Sequence, residues 1–171
     1  MQKGSNVDVE SFTFDFNFNR SLTELEVLTI EDAVNKKIIA NQSTDTKLMK
    51  IEDAKNSGAE ALFGEKYDAE VRVVKIGSSI ELCGGTHVSA SGDIGLFKII
   101  SEKSVASGIR RIEAKTAGFA IEYLRNQQIN LEKTINSLQQ DLKNSDKEIN
   151  NLKRQITLSD IDNIKSVNFS G

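Results

Sequence analysis

Apolar and polar residues alternate near the beginning of the chain. Phenylalanine occupies every second position from 12 to 18, and the residues between are polar. A period of two is typical of a β-strand with one buried face. We therefore predict a strand over residues 12–18, in which the phenylalanines pack into a core rather than stack on nucleic-acid bases.

The next segment has the period of an amphipathic helix. The sequence Ser-Leu-Thr-Glu at 21–24 has the form of a capping box, which marks a helix N-terminus. Apolar residues then recur on one stripe, at Val27, Ile30, Val34 and Ile38. The pattern predicts a helix that extends from the capping box to about Ala40.

Shorter elements are predicted between this helix and residue 115. Residues 41–46 are polar and indicate a loop, and residues 51–56 indicate a short helix that ends before Gly58. Strands are predicted at 69–76, 79–83, 94–101 and 109–115. The first two are separated by Gly77-Ser78, a hairpin signal. The fold class expected for residues 1–115 is therefore α+β.

A different period begins at residue 116. Positions separated alternately by three and four residues are apolar, and only Gln128 and Ser145 interrupt them. The set is 121, 124, 128, 131, 135, 138, 142, 145, 149, 152 and 156. This pattern predicts a long helix over residues 116–158 with a coiled-coil seam. The seam needs a partner helix, so we expect self-association or intramolecular docking through residues 121–156.

Composition describes a soluble protein of modest size. The chain has 171 residues, of which 38% are apolar and 27% charged, and its formal net charge is −3. No apolar run approaches the length of a membrane span, and the N-terminus does not resemble a signal peptide. A single cysteine excludes an internal disulfide framework, which fits the cytoplasm, where we expect the protein. The charge balance gives no global attraction to nucleic acid.

The segment ELCGGTHV at 81–88 holds the only cysteine and the only histidine in the sequence. The two glycines between Cys83 and His87 allow a tight turn, so that a thiolate and an imidazole can approach one metal ion. A zinc site normally has four ligands, or three and a water. Carboxylates or another segment would have to complete it, unless the pair is half of a site. The alternative is a structural cysteine and an ordinary polar histidine.

Several motifs occur in a fixed order along the first part of the chain. They are GAEALFGEKY at 58–67, ELCGGTHV at 81–88, GLFK at 95–98 and SGIRRIEA at 107–114. Together they resemble the editing domain of alanyl-tRNA synthetases. QKGS at 2–5 and FDF at 14–16 extend the resemblance to the N-terminus, and the heptad helix resembles the coiled segment that follows editing in that family.

The resemblance implies a fold, a metal and a set of site residues. The fold is an α+β editing domain of the second-additional-domain type, followed by a long coiled-coil helix. In this family zinc is held by an upstream H-x3-H pair together with the residues matching Cys83 and His87, so the chain would carry two of four ligands. Gln2 and Thr86 are expected to face the substrate. This sequence departs from the family pattern around the FDF motif, where Thr13 stands in place of an arginine.

The resemblance also implies a function. The family ligates alanine to tRNA(Ala) with ATP and hydrolyses mischarged Ser- and Gly-tRNA(Ala). ATP and magnesium would act only in an aminoacylation domain that this chain lacks. We therefore expect a C-terminal fragment of such an enzyme, in which residues 159–171 begin a further domain as a strand and are cut short.

The expected partner is the acceptor end of tRNA(Ala), and Arg110, Arg111 and Lys98 are the candidates for contact with its phosphates. Arg110 and Arg111 point to opposite faces of a strand, so we expect at most one of them to touch a given ligand, and the alternative for Lys98 is a solvated side chain. With half of the zinc ligands, hydrolysis by the chain alone should be weak or absent. The alternatives are a non-catalytic module for tRNA binding or self-association, and a free-standing trans-editing deacylase.

Overall fold

The computed structural model describes residues 1–60 and 68–168, with side chains through residue 158. The chain divides into two compact units, Met1–Tyr123 and Leu124–Gly171. The strands are β1 (Gln2–Val7), β2 (Phe12–Asn17), β3 (Thr44–Lys50), β4 (Glu70–Ile76), β5 (Ser79–Leu82), β6 (Phe97–Ala106) and β7 (Ile109–Thr116). The helices are α1 (Glu24–Ile39), α2 (Ile51–Asn56) and α3 (Ala117–Asn168), and a 3-10 turn covers Ser91–Ile94. The α+β class followed by a long helix is confirmed.

The larger sheet has the order β1-β2-β7-β6, and all of its neighbours are antiparallel. In the register of β2 and β7, Phe12 lies opposite Ala114 and Phe14 opposite Ile112. The core cluster consists of Ile38 of α1 together with Phe97, Ile99, Ile112 and Ala114 of the sheet. The predicted strand at 12–18 is confirmed as β2, and Phe12 and Phe16 pack against that core.

Helix α1 covers the core with the predicted apolar stripe, since Val27, Ile30 and Val34 pack against the cluster around Ile38. Its N-terminus is not where the sequence predicted it. The capping box is formed by Thr23 and Glu26, whose reciprocal bonds are Glu26 N to Thr23 Oγ1 at 3.2 Å and Thr23 N to Glu26 Oε2 at 2.8 Å. The capping box predicted at 21–24 was wrong, because a second motif of the same form, Thr-x-x-Glu, begins two residues later at Thr23 and forms the cap.

Polar side chains of α1 bind the free edge of β6, the last strand of the larger sheet. The side-chain amide of Asn35 donates to the Phe97 carbonyl at 2.9 Å and accepts from the Phe97 N–H at 2.9 Å. One turn earlier, Glu31 accepts from the Ile99 N–H at 2.7 Å and from Lys98 Nζ at 2.9 Å. The helix thus satisfies backbone groups that an edge strand would otherwise leave unpaired.

The smaller sheet has the order β3-β4-β5 and is also antiparallel. Its core consists of Ala54, Val71, Val73 and Leu82. Helix α2 and the hairpin of β4 and β5 are confirmed within a residue or two. Of the motif GAEALFGEKY at 58–67, residues 61–67 lie outside the described part of the chain.

Two strands were not predicted from the sequence, and the start of a third was misplaced. The loop predicted at 41–46 was wrong over 44–46 because β3 begins at Thr44, and β1 was not predicted at all. Both are edge strands with mostly exposed residues, so they lack apolar alternation. The strand predicted from residue 94 begins at Phe97, because the 3-10 turn precedes it.

Helix α3 has 52 residues and confirms the long helix predicted from residue 116. It continues to Asn168, so the strand predicted from residue 159 was wrong over 159–168. The helix carries no glycine or proline after Gly118, which leaves nothing to end it there. A further domain after residue 158 stays a prediction. Within the described residues, no helix combines the length and apolarity that a membrane span requires.

Candidate functional site

The segment that contains Cys83 and His87 follows β5 at the end of the smaller sheet. The Cys83 N–H donates to the Arg72 carbonyl at 3.1 Å, which continues the pairing of β4 with β5. The Arg72 guanidinium then donates through Nη1 to the Cys83 carbonyl at 3.2 Å and to the Gly85 carbonyl. One arginine of β4 therefore holds the backbone of the loop at two points.

The side chains of this loop differ in exposure. Cys83 and His87 are half-buried, whereas Thr86 and both glycines are exposed. The Cys83 sulfur lies beside Gly85, where a Cβ would be 3.6 Å from it. Thr86 is thus exposed on the loop, while the Cys83 sulfur lies close to the backbone of the turn at Gly85.

Cys83 and His87 are donors of the types that zinc prefers, but they are only two. Across residues 1–60 and 68–158, no group of three or more His, Cys, Asp or Glu side chains is placed to hold a metal ion. By residue type the two donors would supply half of a tetrahedral zinc site, and the remaining ligands would have to come from elsewhere. Zinc binding by Cys83 and His87 stays a prediction.

The two residues expected to face the substrate lie on different sheets. Gln2 begins β1 of the larger sheet, and its side-chain amide donates to Ser5 Oγ at 3.3 Å. Thr86 lies in the loop after β5 of the smaller sheet. Among the hydrogen bonds of the described residues, none joins Gln2 to the loop at 83–87. Their roles toward a substrate stay predictions.

Arg110 is held by a carboxylate on the neighbouring strand. Its Nη2 donates to Glu102 Oε2 at 2.6 Å and to Ser21 Oγ at 3.1 Å, and its Nε donates to Glu102 Oε1. The two side chains are only 12% and 10% exposed. The hydrogen bond from Arg110 lowers the pKa of the Glu102 carboxyl below its usual value, against the effect of burial. Bidentate geometry at this depth is typical of a structural ion pair.

Arg111 makes a similar pair on the opposite face of the strand. Its Nε and Nη2 donate to the two carboxylate oxygens of Asp15 at 2.6 and 2.8 Å. The pKa of Asp15 is lowered chiefly by this hydrogen bond. Lys98, the third residue expected to contact phosphate, pairs with the buried Glu31. All three cations are thus engaged by carboxylates of this chain, although Arg111 is 37% exposed.

Arg72, Glu31 and Asn35 were not predicted from the sequence to be important residues. A weak signal existed for Arg72, because a charged residue stands between the buried Val71 and Val73 in β4. A basic side chain at such a position usually has a fixed partner. Its partners are backbone carbonyls of a loop, which the sequence does not reveal.

An apolar groove of about 1190 Å³ lies beside the larger sheet in the first unit. Phe14, Phe16, Ile30 and Val34 line it, together with residues of the β1–β2 turn. Most of the groove surface is apolar, and Cys83, His87 and Thr86 are not among its lining residues. It is therefore separate from the loop described above.

Comparison with known proteins assigns this architecture to a class. Residues 71–113, which run from β4 into β7 and include the loop at 83–87, match the family described as "Threonyl and Alanyl tRNA synthetase second additional domain". The chain thus carries a synthetase second additional domain.

More extensive matches are found among curated relatives. The chain is 53% identical over 132 residues to an alanine–tRNA ligase of Nitrosospira multiformis, covering 77% of this chain and 15% of the relative. It is 46% identical to that of Ralstonia nicotianae, covering 96% of this chain and 20% of the relative. It is 45% identical to the alanine–tRNA ligase of Wolbachia pipientis, covering 99% of this chain and 21% of the relative. Over its matched length the chain belongs to the alanine–tRNA ligase family, and it spans about a fifth of those relatives or less.

Proposed function

We propose that this chain serves proofreading by an alanine–tRNA ligase, an enzyme of protein biosynthesis that joins alanine to tRNA(Ala) with ATP in the cytoplasm. Its task is the hydrolysis of Ser- or Gly-tRNA(Ala) formed by mistake. The observation that supports this most is the Cys83–His87 loop, fixed by Arg72 within the second additional domain. ATP and magnesium would act in an aminoacylation domain outside this chain.

The reaction is the hydrolysis of the ester between the amino acid and the terminal ribose of tRNA. Water attacks the carbonyl carbon, the bond to the ribose oxygen breaks, and that oxygen receives a proton. Cys83 and His87 would hold a zinc ion, which when bound supplies Lewis-acid polarisation or a fixed contact to the amino acid. The residues of this chain bind and orient the substrate around that reaction.

Selection of serine over alanine requires a polar partner for the extra hydroxyl. A site that hydrogen-bonds a substrate hydroxyl rejects an analogue without it, because the polar group of the site is then left unpaired. We assign this role to the Thr86 hydroxyl, which is exposed on the loop. Gln2 is assigned to the aminoacyl group, which its amide can bind as donor and acceptor.

The first test is the zinc content of the purified chain after dialysis against a weak chelator. We expect Cys83→Ala to abolish any bound zinc, and Ser89→Ala, an exposed position beyond the loop, to leave it unchanged. Zinc that survives Cys83→Ala at one equivalent would refute the assignment of Cys83 as a ligand.

The second test is single-turnover hydrolysis of Ser-tRNA(Ala) with excess protein. With two of four ligands present, we expect slow hydrolysis by the chain alone. Thr86→Val should slow it further, while Thr86→Ser should preserve it because the hydroxyl is retained. Full activity in Thr86→Val would remove Thr86 from this role. Rapid hydrolysis that is lost in Cys83→Ala would show that the chain completes its own site.

The acceptor end of tRNA(Ala) is the partner that this function requires. Of the cations expected to contact its phosphates, Arg111 is the most exposed. Arg111→Met should weaken binding of tRNA(Ala) and reduce its salt dependence, as expected for one lost phosphate contact. Filter binding across a salt series measures both, with exposed Lys147→Met as the control for a general loss of charge.

A second function, self-association, is supported by the exposed apolar residues of α3. Leu131, Leu138, Leu142 and Ile156 are each between 58% and 66% exposed. A solvent-exposed coiled-coil seam is unfavourable unless a partner helix covers it. Sedimentation of the purified chain should therefore show a dimer that dissociates on dilution, and a monomer at every concentration would refute this function.

A further inference from the structure

The seam of α3 is symmetric along its length. Between positions 121 and 152 its only polar members are Gln128 and Ser145, and each is the third seam residue from its end. The helix is continuous over this stretch, so the seam residues lie on one face. Reversing the direction of the helix therefore leaves the order of polar and apolar positions unchanged.

This symmetry permits one antiparallel alignment of two copies in which every layer matches. The reversal point lies between Asn136 and Ser137. The facing pairs are Ile121 with Leu152, Leu124 with Ile149, Gln128 with Ser145, Leu131 with Leu142, and Ile135 with Leu138. A shift of one heptad in either direction would place Gln128 opposite a leucine. A polar group buried without a partner is costly, so the seam selects this register.

The flanking charges favour the antiparallel direction over the parallel one. In a parallel pair, Asp141 faces Asp146 of the other copy, and symmetry repeats this repulsion. It opposes the attraction between Glu148 and Lys153 of the other copy. In the antiparallel pair, Arg125 lies beside Asp146 of the other copy, next to the layer of Gln128 and Ser145. The two-fold symmetry repeats this attraction once more. No like charges face each other across that alignment.

We propose that α3 pairs with α3 of a second copy of this chain in antiparallel orientation, centred between Asn136 and Ser137. The proposal rests on the self-association proposed above and adds its direction and register. It makes the seam an interaction surface whose partner is identical in sequence, with Gln128 hydrogen-bonded to Ser145 in the buried layers.

Disulfide trapping in the full chain tests the direction. Cys83→Ser removes the native thiol, and Leu131→Cys and Leu142→Cys are then prepared separately. We expect each variant alone to form little disulfide dimer and their mixture to form the mixed dimer, because residues 131 and 142 face each other only in the antiparallel register. Lys147→Cys, on the outer face of the helix, gives the background. Dimers formed by each single variant alone would show parallel pairing and overturn the proposal.

A charge exchange provides an independent measurement that does not disturb the seam. Asp146→Arg should weaken the dimer about fivefold, because it places two arginines together in the antiparallel pair. Arg125→Asp combined with Asp146→Arg should restore the dissociation constant measured by sedimentation. A dimer strengthened by Asp146→Arg alone would indicate relief of the Asp141 contact and hence parallel pairing.

The oligomeric state distinguishes a failure of self-association from a failure of the antiparallel direction. If the unmodified chain remains a monomer at high concentration, self-association itself is wrong, and the seam is covered by another segment or another protein. If it dimerises but traps as a parallel pair, self-association stands and only the direction proposed here is overturned. A dimer disrupted by Leu138→Asp but not by Gln140→Asp, which introduces the same charge on the outer face, would establish that the seam forms the contact.

Discussion

Replacing Glu31 with alanine should lower the free energy of unfolding of the first unit by about 2–3 kcal/mol. The Glu31 side chain is only 8% exposed and accepts two hydrogen bonds at the free edge of β6. Alanine would remove the acceptor and leave the N–H of the buried Ile99 facing a space that α1 covers. The helix would keep its apolar contacts but lose one of its two polar attachments to the sheet.

The magnitude follows from the two bonds considered separately. A hydrogen bond to a charged group contributes about 1.5–3 kcal/mol, and an unsatisfied buried N–H costs about 1–3 kcal/mol. The bond from Ile99 N is 2.7 Å long, and Ile99 is 6% exposed, so water cannot readily replace the lost acceptor. Lys98 is 26% exposed and can return to solvent, so its ion pair is discounted.

Urea unfolding followed by the NMR signals of the larger sheet measures this difference. Asp32→Ala, an exposed carboxylate on the same helix, serves as the control and should change the unfolding free energy by less than about 0.5 kcal/mol. Glu31→Gln retains an acceptor oxygen for Ile99 and should cost less than alanine. Equal effects of Glu31→Ala and Asp32→Ala would refute the view that α1 satisfies the edge of β6.

Three further changes test the loop, the helix cap and a turn. Arg72→Met removes the donor to the Cys83 and Gly85 carbonyls, so amide exchange at 83–87 should accelerate while the β6 amides stay protected. The pKa of Glu26 is lowered to about 2, first by the Arg20 hydrogen bond, from a usual value of 4.5. Because the folded-state value is the lower one, the stabilisation is complete above that usual value and is lost as pH falls toward about 2. Glu26→Gln should flatten the pH dependence of Tm in this window. Gly95→Ala should cost about 1–2 kcal/mol in thermal unfolding, because Gly95 has φ of +68° and an added Cβ would lie 3.2 Å from Ala117 Cα.

The elements that the sequence predicted most clearly are those in which apolar residues recur at a regular spacing. β2 alternates because one of its faces packs under α1, and α1 and α3 repeat at three and four residues because each has an apolar face. The edge strands β1 and β3 bury little and therefore show no period. Their place in the sheet is determined by backbone pairing, which depends on neighbours distant in the sequence.

The same distinction applies to the candidate site. Cys83 and His87 could be proposed as metal ligands because both residue types are chemically distinctive and occur once each. Arg72 could not, because its function is to bind backbone carbonyls of residues 11 and 13 positions away. The role of Glu31 depends on Ile99, 68 positions away. Such contacts exist only after the sheets have formed, and composition or spacing does not encode them.

The ion pairs change how the basic residues of β7 should be interpreted. By charge alone, Arg110 and Arg111 were equivalent expectations for phosphate contact. Arg110 is 12% exposed and binds both Glu102 oxygens and Ser21, so a phosphate would have to displace a desolvated pair. Displacing a partner at that depth leaves an uncompensated buried carboxylate, which is strongly unfavourable.

Arg111 is 37% exposed, and water can solvate Asp15 when the pair opens. On the same face, Lys103 lies opposite Arg111 in β6 and is exposed. Phosphate contact is therefore expected at Arg111 and Lys103, whereas Arg110 stabilises the fold.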